Sequence, residues 1–288
     1  DSFSYFAGKR ICHSINSYSS EFSCRPVPMQ NYAASLTNIE GGALDIALVN
    51  EKMIHDASAS KNMFQYLDIK YNHLRLLMPV YKEPILLAVR QDANISTLDD
   101  LVGKRLNVGP VFTMQNMVFH EIMNVKGWEE DDFNSYQTLS PVHAQDAIAF
   151  NDGNIQVMVH YGMHPDSKLK QEIGGGTGKL IGIYDPSIKR LIKSETGFTS
   201  FVLPAGTYPQ QNENITTIAL ENLLITSVDT DSETITLVLE AIFKAEKQLK
   251  RAHPALLDEE VSVDMMENRY LEPHPAAVEF FQKYFKQL

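Results

Sequence analysis

Ser35-Leu36-Thr37-Asn38-Ile39-Glu40-Gly41-Gly42, followed by Leu44-Asp45-Ile46-Ala47-Leu48-Val49-Asn50, is the stretch that decides the fold. It reads as a helix, a glycine stop and a short apolar strand that ends in a polar residue. The same order returns further on. Ala144-Gln145-Asp146-Ala147-Ile148-Ala149-Phe150 runs into Asn151-Asp152-Gly153, and then into the strand Ile155-Gln156-Val157-Met158-Val159-His160-Tyr161. Alternating helices and strands argue for an α/β fold. Two equivalent units on one chain predict two similar lobes.

Working outward, two long apolar stretches fall where lobes would be joined. One is Pro84-Ile85-Leu86-Leu87-Ala88-Val89-Arg90, and the other is residues 217–226, Thr-Ile-Ala-Leu-Glu-Asn-Leu-Leu-Ile-Thr. Their length and β-branched content suit strands that pass from lobe to lobe. Two such crossovers predict a discontinuous lobe one, residues 1–84 and 222–288, with lobe two, residues 85–221, inserted between its halves. Within lobe two, Ser96-Thr97-Leu98-Asp99 reads as a capping box opening a short helix that Gly103 stops. A strand over 105–109 and a helix over 114–125 follow, the helix ended by Gly127. A glycine-rich loop at 174–178 precedes a strand over 180–184. After the second crossover the spacing predicts one surface helix over 233–250. A last helix over 275–287 begins with proline in its first turn.

Composition narrows the functional classes. The chain has 288 residues, 44% hydrophobic and 21% charged, and a net charge of −11. That balance disfavours nucleic acid and anionic lipid, both of which need clustered Lys and Arg. No apolar run approaches the ~20 residues of a membrane-spanning helix. The start Asp1-Ser2-Phe3-Ser4 lacks the basic and apolar segments of a signal peptide. Cys12 and Cys24 are the two cysteines. From spacing alone they are either buried thiols in a reducing compartment or one disulfide.

Phrases along most of the chain carry a resemblance. They are Leu203-Pro204-Ala205-Gly206-Thr207-Tyr208-Pro209, Ala252-His253-Pro254-Ala255 and Pro273-His274-Pro275-Ala276-Ala277. Gly41-Gly42-Ala43-Leu44-Asp45, Leu101-Val102-Gly103-Lys104-Arg105 and Lys126-Gly127-Trp128 belong with them. In this order the chain resembles the TAXI family, the solute receptors of tripartite ATP-independent periplasmic (TRAP) transporters. The resemblance implies a type II periplasmic-binding-protein fold, with two α/β lobes joined by a two-strand hinge. It also implies a periplasmic location, a small-molecule ligand bearing a carboxylate, and the membrane permease subunits of a TRAP transporter as partner. No cofactor and no catalysis are implied. Cys12 and Cys24 match a pair seen in part of that family, which implies the disulfide. By the same likeness, a signal peptide and a first strand are expected ahead of Asp1.

Ligands of open α/β sheets sit beyond the carboxyl ends of strands, near helix N-termini. Four segments meet that test, and the resemblance points to the same places. They give Ser4 and Tyr5, with Ser2 beside them; Asn31 and Tyr32; Asn50 and Glu51; and Phe112, Thr113 and Met114 together with Tyr161. The chain departs from the family at most of these. Gln30-Asn31-Tyr32 stands where Gly-Gly-Ser is usual, and Asn50-Glu51-Lys52 where Gln-Ser-Asp is usual. Phe112 and Met114 replace two glycines, which predicts a narrower, more apolar pocket. Glu51 is an awkward neighbour for an anion; Lys52 or Lys9 could balance it, but each reads rather as a solvated side chain. Met and Phe side chains here suit apolar ligand surface.

Other motifs are set aside. Gly174-Gly175-Gly176-Thr177-Gly178-Lys179-Leu180 lacks the spacing and the hydroxyl of a phosphate loop. His160 and His164 fall on a strand end and a turn, not one helix face, so they read as structural rather than metal-binding. No nucleophile elbow or Cys–His signature occurs. A transport receptor is therefore the first expectation. A sensor module of the same fold is second, and an enzyme on that fold is third.

Overall fold

The computed structural model describes residues 3–29, 31–141, 144–194, 197–257 and 270–285. Ser2 and Gln30, which stand beside candidate ligand segments, lie outside the described residues. The chain divides into two compact units. One is Asp1–Lys82 with Leu220–Leu288, and the other is Glu83–Ala219.

The first unit begins with α1 (Phe3–Tyr18), α2 (Tyr32–Glu40), β1 (Ile46–Asn50) and α3 (Glu51–Ser58). The deciding stretch folds as read: Gly41 caps α2, and β1 ends at Asn50, which starts α3. Strand β2 (Leu74–Arg90) leaves this unit and enters the second. It starts ten residues before the expected crossover segment, because the apolar run through Met78 and Tyr81 stays buried and extended. Pro79 and Pro84 lie within it without N–H groups to donate.

The second unit continues with β3 (Arg105–Asn107), α4 (Met114–Lys126), β4 (Ser135–Gln137), α5 (Gln145–Asn151) and β5 (Val157–Tyr161). Then come α6 (Ser167–Gly174), β6 (Gly178–Gly182), α7 (Pro186–Lys193) and β7 (Phe198–Leu203). Strand β3 pairs in parallel with β4 and β5, whereas β5 and β6 each run antiparallel to β2. The sheet is therefore mixed. Parallel pairing leaves its strands apolar on both sides, and Leu106, Val157 and Val159 are buried.

Strand β8 (Ile215–Ser227) returns the chain to the first unit and pairs antiparallel with β1, Asn50 opposite Asn222. Helices α8 (Ser232–Lys244), α9 (Glu246–Ala252) and α10 (Pro275–Phe285) complete it. Phe243 on α8 packs on Phe280, Phe281 and Tyr284 of α10 at ring separations of 5.5, 5.6 and 4.8 Å.

Three local expectations need correction. The helix over 233–250 is two helices, broken at Ala245, whose N–H is shared between the Ala241 and Ile242 carbonyls at 3.1 Å each. The capping box is one residue later than read: Thr97 caps a single 3-10 turn, and the Asp100 carboxylate accepts from Thr97 N at 2.8 Å. The glycine-rich segment is shorter as a loop, because Gly178 and Lys179 already pair with β2. Among the described residues no helix is long and apolar enough to cross a membrane.

Cys12 and Cys24 form a disulfide with Cα atoms 5.0 Å apart. Asn16 reinforces it by bonding both backbone groups of Cys24, at 2.9 and 2.7 Å. Closing a short loop constrains the unfolded chain, so the Cys12→Ser/Cys24→Ser variant should lose about 2–3 kcal/mol. Urea unfolding reads this directly. An unaltered midpoint would mean that Asn16 alone holds the loop.

Candidate ligand-binding site

In the first unit, three helix N-termini and a strand tip supply polar groups. Asn50 is the centre. It is completely buried. Its Oδ1 accepts from Met53 N at 2.9 Å, which caps α3. Its Nδ2 is buried and has no hydrogen-bond partner among the described residues. Leaving a buried donor unsatisfied costs about 1–3 kcal/mol, and the described residues offer this amide no acceptor.

Around it the side chains form a linked set. Asn222, opposite Asn50 in the sheet and fully buried, accepts from the Tyr32 hydroxyl at 3.3 Å. The Ser4 hydroxyl lies 3.1 Å from that of Tyr32, and the Tyr81 hydroxyl donates to Ser4 at 3.2 Å. Ser4 sits in the first turn of α1 and Tyr32 begins α2. Ser4, Tyr32 and Asn50 are thus brought together through Asn222 and Tyr81. Tyr5 is half-buried on the same turn of α1, with Lys9 Nζ 4.6 Å from its ring centre. Asn31 is exposed, and its side chain caps α2 by accepting from Ala34 N at 2.9 Å. Glu51 is half-buried in the first turn of α3.

Lys52 corrects the sequence reading. It is not a solvated counter-ion but is buried, with Nζ 3.0 Å from Asp56 Oδ2. Asn62 Nδ2 adds a bond to the same oxygen at 2.8 Å. Tyr81 and Asn222 were not singled out from the sequence. Asn222 carried a signal, since a polar side chain in an apolar crossover strand must find a partner. Tyr81 carried none, because an aromatic in a buried strand is ordinary core.

In the second unit, Thr113 caps α4 through its hydroxyl, which accepts from Asn116 N at 3.3 Å. Met114 opens that helix and is half-buried. Phe112 is 87% exposed. Tyr161, the last residue of β5, donates to the buried Glu83 carboxylate at 2.6 Å. Gln115 joins the two segments by donating to Val159 O at 2.5 Å. Gly109 is needed beneath it, since a Cβ there would fall 2.5 Å from the Gln115 side-chain carbon.

His160 and His164 lie with rings 5.3 Å apart. Asp166 N–H donates to the Tyr208 hydroxyl at 2.8 Å, and the same hydroxyl is hydrogen-bonded to His164 Nδ1. Among the described residues no group of three or more His, Cys, Asp or Glu side chains could hold a metal. Burial pushes His160 down to about 4, keeping the ring neutral. Burial pushes Asp185 up, but bonds from Lys126, Ser187 and Ile188 N outweigh it and bring it to about 2. Both groups bind protons more weakly when folded than when unfolded. Their stabilisation is therefore full above pH ~6.5 and fades on acidification, first through His160 between about 6.5 and 4, then through Asp185 below about 4. Thermal melts from pH 7.5 to 3 should show this fall, and His160→Gln should flatten its upper part.

Solved solute-binding proteins share this two-unit α/β fold. A TctC solute binding protein from Polaromonas superposes with a TM-score of 0.55 at 12% identity, covering 98% of this chain and 93% of that one. XAC2383 from Xanthomonas citri, bound to ATP, gives 0.53 at 11% identity, covering 98% and 92%. The periplasmic aliphatic sulphonate binding protein SsuA from Escherichia coli gives 0.50 at 13% identity, covering 97% and 75%. At such identities the likeness speaks for the fold. The chain belongs to the NMT1-like family, whose model matches residues 2–284.

Proposed function

We propose that this protein is a periplasmic solute receptor that captures a small organic acid or amino acid and passes it, unaltered, to a membrane transporter. The observation that carries the reading is the buried Asn50 Nδ2, without a partner among the described residues, at the carboxyl tip of β1. It is a hydrogen-bond donor, so it selects an acceptor such as a carboxylate oxygen. The N-termini of α1, α2 and α3 lie around it, and helix N-termini favour negative charge. The TAXI-like phrases support a finer assignment, to receptors of TRAP permeases. Residues 1–84 with 222–288, and residues 85–221, are the proposed lobes. Ser4, Tyr5, Asn31, Tyr32, Asn50 and Glu51 are the proposed ligand contacts of one. Phe112, Thr113, Met114 and Tyr161 are those of the other.

A thermal-shift screen of carboxylic acids and amino acids tests this. A ligand at about 100 times its Kd should stabilise by about 2.7 kcal/mol, and mass spectrometry should recover it chemically unchanged. A turned-over ligand, or a screen in which only bases and sugars shift the melt, would defeat the proposal.

A further inference from the structure

Two asparagines face each other in the sheet of the first unit. Asn50 ends β1, and Asn222 lies directly opposite it in the antiparallel register, in the part of β8 that belongs to this unit. Residues so paired put their side chains on one face of a sheet, with Cβ atoms about 4.5–5.5 Å apart. Both are completely buried. Asparagine is a poor strand former, and the neighbours Val49 and Leu223 are ordinary core.

Each carboxamide is anchored by its oxygen. Asn50 Oδ1 accepts from Met53 N at 2.9 Å, and Asn222 Oδ1 accepts from the Tyr32 hydroxyl at 3.3 Å. The second anchor is itself tied: the Ser4 hydroxyl lies 3.1 Å from that of Tyr32, and Tyr81 donates to Ser4 at 3.2 Å. With the oxygens engaged, the other end of each amide is its NH2 group. Asn50 Nδ2 has no partner among the described residues. An NH2 group carries two hydrogens, so Asn222 can donate to a ligand beside any other bond it makes. We infer that Asn222 is a further, specificity-determining contact of the solute, and that the two NH2 groups together take the two oxygens of one carboxylate. The inference rests on the receptor reading above and narrows it: the planar acid group is read by a pair of uncharged donors on adjoining strands. A primary amide of the same skeleton would set its own NH2 against one of them. A site built this way rejects an analogue that leaves its buried polar groups unpaired.

Calorimetric titration with three acids and their primary amides tests it: propionate and propionamide, lactate and lactamide, alanine and alaninamide. The wild type should bind at least one acid, and bind it about tenfold or more tightly than its amide. Asn222→Asp keeps the oxygen that Tyr32 bonds and turns the donor into an acceptor. It should weaken that acid about a hundredfold and reverse the preference, so that the amide binds better. A merely structural Asn222 would lower both affinities alike, so an unchanged acid-to-amide ratio overturns the assignment. The wild type supplies a second measurement that no folding failure touches. In protein carrying isotope-labelled asparagine, the acid should shift the side-chain NH2 signals of both Asn50 and Asn222 in nuclear magnetic resonance spectra, and an unmoved Asn222 signal overturns the inference. If an acid binds and either of these results is adverse, the role of Asn222 alone falls. If none of the three acids binds, the carboxylate reading of Asn50 falls with it.

Discussion

Asn50→Asp should bind acids about a hundredfold more weakly than the wild type, about 2.7 kcal/mol, while keeping a better-capped α3 than Asn50→Ala. The two side chains separate the two jobs of this residue. Oδ1 caps α3 by accepting from Met53 N, and Nδ2 is the buried donor with no partner among the described residues. Aspartate retains the cap, at which it serves as well as asparagine, and its charge is favoured at a helix start. It cannot donate when ionised, and it sets a carboxylate against the incoming carboxylate. Alanine removes both jobs. It should cost about 1 kcal/mol of stability through the lost cap and about 1–3 kcal/mol of binding through the lost bond. Two orders result: Asp below Ala in affinity, and a melting-temperature order set by the retained cap against the cost of placing a carboxylate at a completely buried position. Calorimetric titration with the acid chosen by the screen, beside thermal melts, reads both orders. Unchanged affinity in the alanine variant would remove Asn50 from the site.

The legible part of this molecule is its local punctuation. Gly41, Gly127 and Pro275 end or begin helices as read, because a helix stop or start is decided by one or two residues. The strand ending at Asn50 was equally plain. Where the reading went wrong, the deciding force lay elsewhere in the fold. The break at Ala245 has no glycine or proline to announce it. The length of β2 hides behind two prolines that usually exclude a strand interior. In the candidate site, Ser4, Tyr32 and Asn50 were found from their places at helix starts and a strand tip. Tyr81 and Asn222, which join them, come from crossover strands distant in sequence, and only the β1–β8 register sets Asn222 opposite Asn50. Phe112 was visible as a residue type, but its positive φ was not.

Asp56→Ala should destabilise the first unit by about 3–5 kcal/mol, because it strands an ammonium group in the interior. Lys52 and Asp56 are each 2% exposed. Four residues apart on α3, they meet at 3.0 Å, and Asn62 satisfies the carboxylate further. Removing both charges should cost far less, since a buried pair recovers little more than its own desolvation. Lys52→Met/Asp56→Leu should therefore be much more stable than Asp56→Ala, and a double-mutant cycle in urea gives the coupling. A small loss in the single variant would show that water reaches the pair. The pair lies on the helix that Asn50 caps, so it also governs function. If its part is only to hold α3, the double variant should bind acids as the wild type does. If the Lys52 charge itself draws the anion in, the double variant should fold normally and bind weakly, with a shallower dependence of affinity on salt. The geometry favours the first outcome, because the ammonium is already committed to the Asp56 carboxylate and a second anion would have to compete for it.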